Sequence, residues 1–237
     1  MAEKTLEEMR QAVAEIREKM AAAAREAGRD PAAVQLCAAC KTRTAQTIAA
    51  SAALPIDLFG ENHVQELCTN YDAGAYCGKP SHFIGHLQTN KIKKVLGRAS
   101  LIQSVDSEHL LLAIEKEAAK AGIVQDILLE VNIGGEEAKS GFAPDAVEQA
   151  AAQAKTLAHV RVRGLMTIPP ADATREENMA YFAKVRELYV DISRKMYDNG
   201  LEYLSMGMSG DFADAIRAGA NMVRVGSAIF GARDYSK

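Results

Sequence analysis

"LSMGMSGDFADAIRAGANMVRVGSAIFGARDY", Leu204–Tyr235, repeats one pattern twice. An apolar run, Tyr203–Gly207, leads through the polar loop "MSGD" into a helical segment. A second apolar run, Met222–Gly226, leads into the short apolar helix "SAIFG". Ser209 is placed to cap the first helix, with Asp211 in its opening turn. In the second strand side chains alternate faces, so Val223 and Val225 point one way and Met222, Arg224 and Gly226 the other. If the valines pack against helices, Arg224 points inward, where a buried arginine needs an acid or a ligand. Gly226 and Ser227 open the short helix, whose first N–H groups and Ser227 hydroxyl suit an anion. Ser209 can close that site from the neighbouring loop.

The same alternation runs upstream. Strand-like runs occur at 34–40, 57–60, 82–85, 101–105, 126–132 and 160–165, before those at 203–207 and 222–226. Helical stretches lie between them. "SEHLLLAIEKEAAKAG" has Ser107 as its cap and Gly122 at its end; Met179, Phe182, Val185, Tyr189 and Ile192 follow the helical period in a later one, with Gly200 behind it. Eight βα units predict a single (β/α)₈ barrel spanning 1–237, with an extra N-terminal helix within 1–30 packed on it. Its stripe is Leu6, Met9, Val13, Ile16 and Met20. A doubly wound sheet lacks support, since no G-x-G-x-x-G follows the first strand and "GGEEAKSG" (134–141) does not fit a phosphate-binding loop. Gly134 and Gly135 are expected to turn a βα loop.

Composition narrows the function. The 237-residue chain has a net charge of −3 and no tryptophan, which argues against nucleic acid and an anionic membrane as partners. The N-terminus is charged throughout, unlike a signal peptide, and no apolar run reaches membrane-span length. Four cysteines do not make a secreted disulfide framework, so a cytoplasmic, reduced protein is expected.

In a barrel of this kind the site lies at the C-terminal ends of the strands, with phosphate often held after the last two. "LCAACKTRT", Leu36–Thr44, ends the first strand. Strand geometry sends Cys37 and Cys40 to opposite faces, so they form neither a local dithiol nor a chelate: Cys40 joins Val34, Leu36 and Ala38 outside, while Cys37, Ala39 and Lys41 face inward. Lys41 either points into the barrel, as Schiff-base lysines do, or is solvated just past the strand. His63, Cys68, Cys77, His82 and His86 crowd one region but match no standard zinc spacing. A lysine, an inward arginine and a phosphate cup together match the aldehyde, ring nitrogen and phosphate of pyridoxal 5′-phosphate (PLP).

"CKTRT", "FGENHVQE", "HFIGHLQTNK", "VNIGGEEAKSGF", "GLMTIP" and the opening stretch occur in an order that resembles the PLP homeostasis proteins, relatives of the alanine racemase barrel domain. The resemblance implies that Lys41 carries the cofactor as a Schiff base and that Arg224 lies against the pyridine nitrogen. It implies that Ser209, Gly226 and Ser227 hold phosphate, that Asn62 and Met166 line the cofactor, and that His82 lies near the same mouth. Ser81 and His86 depart from the family pattern and are expected at the rim. The resemblance further implies a role in vitamin B6 homeostasis, with PLP-dependent apo-enzymes as candidate recipients. An arginine at the ring nitrogen weakens the cofactor as an electron sink, and no second domain is expected after Lys237, so a carrier is favoured over a robust enzyme. The alternative is a fold-type III amino-acid racemase of weak activity.

Overall fold

The computed structural model describes residues 4–136 and 139–231. Strands β1 (Gln35–Ala39), β2 (Leu58–Glu61), β3 (Ser81–Phe83), β4 (Leu101–Val105), β5 (Gln125–Val131), β6 (Val160–Thr167), β7 (Tyr203–Ser205) and β8 (Met222–Val225) run parallel and close into a barrel in chain order. β8 pairs with β1, setting Arg224 opposite Cys37. Before β1 comes α1 (Leu6–Glu26). The connections carry α2 (Ala45–Ser51), α3 (Val64–Asp72), α4 (Ile92–Val95), α5 (Glu108–Ala121), α6 (Val147–Lys155), α7 (Arg175–Met196) and α8 (Phe212–Arg217), and α9 (Ser227–Phe230) follows β8. Every strand falls within two residues of its expected bounds.

The helices bury the stripes their sequences carry. α1 begins in a reciprocal capping box of Thr5 and Glu8 and buries Met9, Val13, Ile16 and Met20, leaving Leu6 at its edge exposed. It packs on α8 and α9, and Arg29, just beyond it, donates to the carbonyls of Ile216 and Ala220. Ser107 caps α5 by accepting from the Leu110 N–H, and Gly122 ends it in the left-handed conformation. Two local expectations fail. α7 stops at Met196, and the left-handed residues after it are Asp198 and Asn199 rather than Gly200, because short polar side chains tolerate that conformation too. At α8 the N-cap position belongs to Asp211, whose carboxylate accepts from the Met208 N–H at 2.6 Å; Ser209 is left to face elsewhere.

The main apolar core lies outside the sheet, beneath the helices, and includes Leu36, Ala38, Cys40, Val223 and Val225. Inside the barrel are two small clusters, Cys37 with Leu58 and Met222, and Leu101 with Leu128 and Met166, bridged by Tyr203. Two residues further along their strands the interior turns polar, with buried His82, Gln103, Ser205 and Arg224. The two cysteines thus point as strand alternation requires. β6 carries a bulge: the register with β5 skips between Val162 and Gly164. There the backbone approaches β7 so closely that a Cβ on Gly164 would lie 1.7 Å from the Tyr203 carbonyl oxygen. Only glycine fits.

Glu61 ends β2 with its side chain outward, sealed beneath α3. Asn70 Nδ2 (2.8 Å) and Tyr76 Oη (3.1 Å) both donate to Oε1, while Oε2 is buried with no hydrogen-bond partner among the described residues. Burial pushes this carboxyl up to about 7, against the lowering effect of those two donors. The folded chain therefore keeps a proton there up to about pH 7, whereas the unfolded chain loses it around its ordinary value of 4.5. Between those limits the native state binds more protons, so this group's contribution to stability falls as pH rises. Glu61→Gln removes that slope: its stability relative to wild type should climb between about pH 5 and pH 7.5 in urea unfolding. A difference that stays flat with pH would show that Glu61 does not titrate in this way.

Candidate functional site

A cavity of about 260 Å³ opens at the C-terminal ends of the strands, on the side where β8 meets β1. Its wall includes Lys41, Asn62, Ser209, Arg224, Gly226 and Ser227, which is six of the seven residues singled out in the sequence. The chain supplies them from the ends of β1, β2, β7 and β8, four strands that closure makes neighbours of one another or nearly so.

Lys41 lies past the end of β1, in a turn closed by the Arg43 N–H on the Cys40 carbonyl. It is half-buried and lines the cavity, so it has left the strand without leaving the site. Thr42 follows with φ of 65°, an uncommon conformation for a β-branched residue, and its N–H points at both oxygens of Glu66 on α3 at 3.3 Å. Arg43 also lines the cavity. It donates to the Gly231 carbonyl at 2.8 Å and places its guanidinium over the Phe230 ring, tying the lysine turn to α9. Sequence reading passed over Arg43 and the Thr42–Glu66 brace, although "KTRT" displays the arginine openly.

Gly226 heads α9 where β8 lies against β1; a Cβ there would come within 3.0 Å of the Ala39 carbonyl oxygen. The first N–H groups of such a helix have no acceptor within it. Ser227 Oγ lies 3.5 Å from Ser209 Oγ, so the hydroxyls of two successive βα loops meet at one spot. Asn62 also lines the cavity, and its Oδ1 is buried without a hydrogen-bond partner among the described residues. An acceptor in that state calls for a donor from a ligand or a water.

Arg224 is 4% exposed and points into the barrel. Its partners are not an acid: Nη1 donates to Ser205 Oγ at 2.6 Å and Nη2 to the Thr167 carbonyl at 2.9 Å. Burial works against its charge, while Cys37, Glu130 and Asp211 favour it from a distance. Beside it, burial pushes the Cys37 thiol up to about 12, and Cys40 on the outer face is raised as well. Neither sulfur is a nucleophile here.

Other expected residues lie elsewhere. Met166 is inside the barrel among Leu101 and Leu128; Ile168, two residues on, reaches the cavity instead. His82 is buried within the sheet rather than at the mouth, hydrogen-bonded to Gln103, and burial depresses its imidazole to about 3. His86 does lie at the C-terminal rim, with Nδ1 3.1 Å from Asp106 Oδ2. Ser81 does not: it begins β3 at the opposite end, where its hydroxyl donates to the Arg98 carbonyl at 2.6 Å. Glu130, near Asp106 and Arg224, is raised to about 7, by burial first and Asp106 second. Among the described residues no group of three or more His, Cys, Asp or Glu is arranged to hold a metal ion, and no helix is long and apolar enough to cross a membrane.

Residues 11–234 match the alanine racemase N-terminal domain family. The pyridoxal phosphate homeostasis protein of Aquifex aeolicus is 42% identical over 218 residues, covering 92% of this chain and 95% of that one. Its counterpart from Escherichia coli is 35% identical over 230 residues, covering 95% and 97%. Among solved structures, PipY of Synechococcus elongatus with PLP bound superposes with a TM-score of 0.78 at 31% identity, covering 91% of this chain and all of that one. A Clostridium difficile alanine racemase shares the fold at 16% identity and a TM-score of 0.71, this chain covering 57% of it. The chain belongs to the pyridoxal phosphate homeostasis protein family, built on the alanine racemase N-terminal domain.

Proposed function

We propose that this chain binds PLP as a Schiff base on Lys41 and serves cytoplasmic vitamin B6 homeostasis as a carrier or regulator of the cofactor, without a robust catalytic cycle. One observation carries the reading: a lysine amine, an inward guanidinium and a serine-lined helix start line a single cavity. These groups match the aldehyde, ring nitrogen and phosphate of the ligand, and Asn62 lines the same cavity. The PLP held by PipY supports the same choice. When bound, the group supplies a conjugated ring able to delocalise electrons from an attached amine.

The chain's own residues decide how far that chemistry goes. Lys41, whose amine lines the cavity, would hold the group through its aldehyde. Ser209, Ser227 and the α9 N–H groups would hold its phosphate. Arg224 can only donate, so toward a ring nitrogen it would serve as a cationic donor and would oppose protonation there. That weakens the electron sink and favours holding the cofactor over using it.

One feature favours the alternative, a weak amino-acid racemase. Glu130, raised to about 7, can carry a proton near neutral pH at the same end of the barrel. Racemization needs proton donors and acceptors on both faces of the substrate α-carbon.

The purified protein should be yellow with PLP, and borohydride should fix the chromophore to Lys41. Lys41→Ala should lose both properties, and an unchanged absorption band in that variant would refute the site. Single amino-acid enantiomers incubated in deuterated water should show no sustained α-proton exchange; Lys41-dependent turnover would establish the racemase instead. Mixed with a PLP-dependent apo-enzyme, the loaded wild type should restore its activity. Failure of that transfer would leave storage or regulation as the role.

A further inference from the structure

The interior of the barrel contains a one-way chain of hydrogen bonds that the binding of a cofactor does not by itself explain. Arg224 Nη1 donates to Ser205 Oγ at 2.6 Å. Ser205 Oγ lies 2.6 Å from Gln103 Oε1, and Gln103 Nε2 lies 2.8 Å from His82 Nδ1. The second hydrogen on Gln103 Nε2 is directed at Met222 Sδ, at 3.1 Å. Four strands contribute, β8, β7, β4 and β3, and all four side chains are buried.

The arginine fixes the direction of every bond, because a guanidinium has donors only. Ser205 must accept from it, so the serine hydrogen goes onward to Gln103 Oε1. The glutamine amide is thereby oriented with its NH₂ toward His82. His82 must then present a lone pair at Nδ1, which places its hydrogen on Nε2 and keeps the ring neutral. Burial holds the imidazole in that neutral form, depressed to about 3. A protonated His82 would set a donor against a donor.

We propose that Ser205, Gln103 and His82 are positioning residues that act through Arg224, holding its guanidinium in one orientation and as an undivided cation, and so setting the charge state of the cofactor ring above it. The inference rests on the reading that the cavity holds PLP. Its logic is electrostatic. The groups touching the guanidinium are a hydroxyl and a carbonyl, both neutral acceptors. The ionisable groups acting on it from further away are Cys37 on β1, Glu130 on β5 and Asp211 at the start of α8. If the Ser205 hydroxyl is lost, a buried donor is left unpaired, and the guanidinium can recover a partner by turning toward Glu130. Its charge would then be shared with a carboxylate and withdrawn from the ring nitrogen.

Two measurements on the full-length protein test this. In the ligand-free protein, nitrogen NMR should find His82 Nδ1 unprotonated, and Gln103→Leu should shift both the His82 and the Arg224 guanidinium resonances. If Arg224 does not respond to Gln103→Leu, the chain is not coupled and the proposal fails. In the PLP-loaded protein, Ser205→Ala and Gln103→Leu should move the pH midpoint of the bound chromophore by about half a unit or more, in the direction produced by Arg224→Gln. The same variants should weaken PLP binding by roughly tenfold. Ser205→Thr, which keeps the hydroxyl, should restore both. Variants that lower thermal stability while midpoint and affinity stay at wild-type values would show a merely structural role and overturn the proposal. Absence of a borohydride-fixable chromophore in wild type would instead refute PLP binding, and the NMR arm would still decide whether the chain exists.

Discussion

A guanidinium sealed inside a barrel is the constraint around which this molecule is arranged. Moving an arginine out of water is costly, and its donors need acceptors. Here the acceptors are a serine hydroxyl and a backbone carbonyl from the two strands preceding β8 in the barrel, β7 and β6. Neither neutralises it. The positive charge is therefore retained at the wall of the cavity. The small clusters around Cys37 and Leu101 fill the interior below, so the cavity is confined to one end.

Closure of the sheet then decides which loops can cooperate. β1 and β8 lie at opposite ends of the chain yet pair along their length. That pairing brings the lysine turn against the head of α9, with Gly226 permitting the approach to Ala39 and Arg43 fastening the two by its bonds to Gly231 and Phe230. The positive φ at Thr42 is held by Glu66 from α3. Lys41 is thus positioned by groups drawn from three separate βα units.

Part of this was legible in the chain and part was not. Strand alternation placed Cys37 and Cys40 on opposite faces and turned Arg224 inward, because a period of two leaves no freedom once one face is apolar. The same reasoning could not choose between a solvated and an inward Lys41. The residue is in fact beyond the strand, where alternation no longer applies, and its position depends on a turn and on contacts from distant segments. Ser209 was expected to cap α8. Asp211 takes the N-cap position, its carboxylate accepting from the Met208 N–H rather than from an N–H of the helix, a choice that spacing alone does not resolve. Met166 was expected to line the cofactor and His82 to lie near the mouth, but both are buried within the sheet: a motif records that a residue belongs to a family, not its depth along a strand.

The sequence by itself determined the eight strands, the inward arginine and the serine-rich helix start, since each follows from local periodicity or from the chemistry of a few adjacent residues. Only the tertiary structure decided what Arg224 touches, that Asn62 holds an acceptor unpartnered among the described residues, and that Gln103 links His82 to Ser205 across the interior. Those relations join residues far apart in the chain, and their geometry is fixed by the register and closure of the barrel, which no local pattern contains.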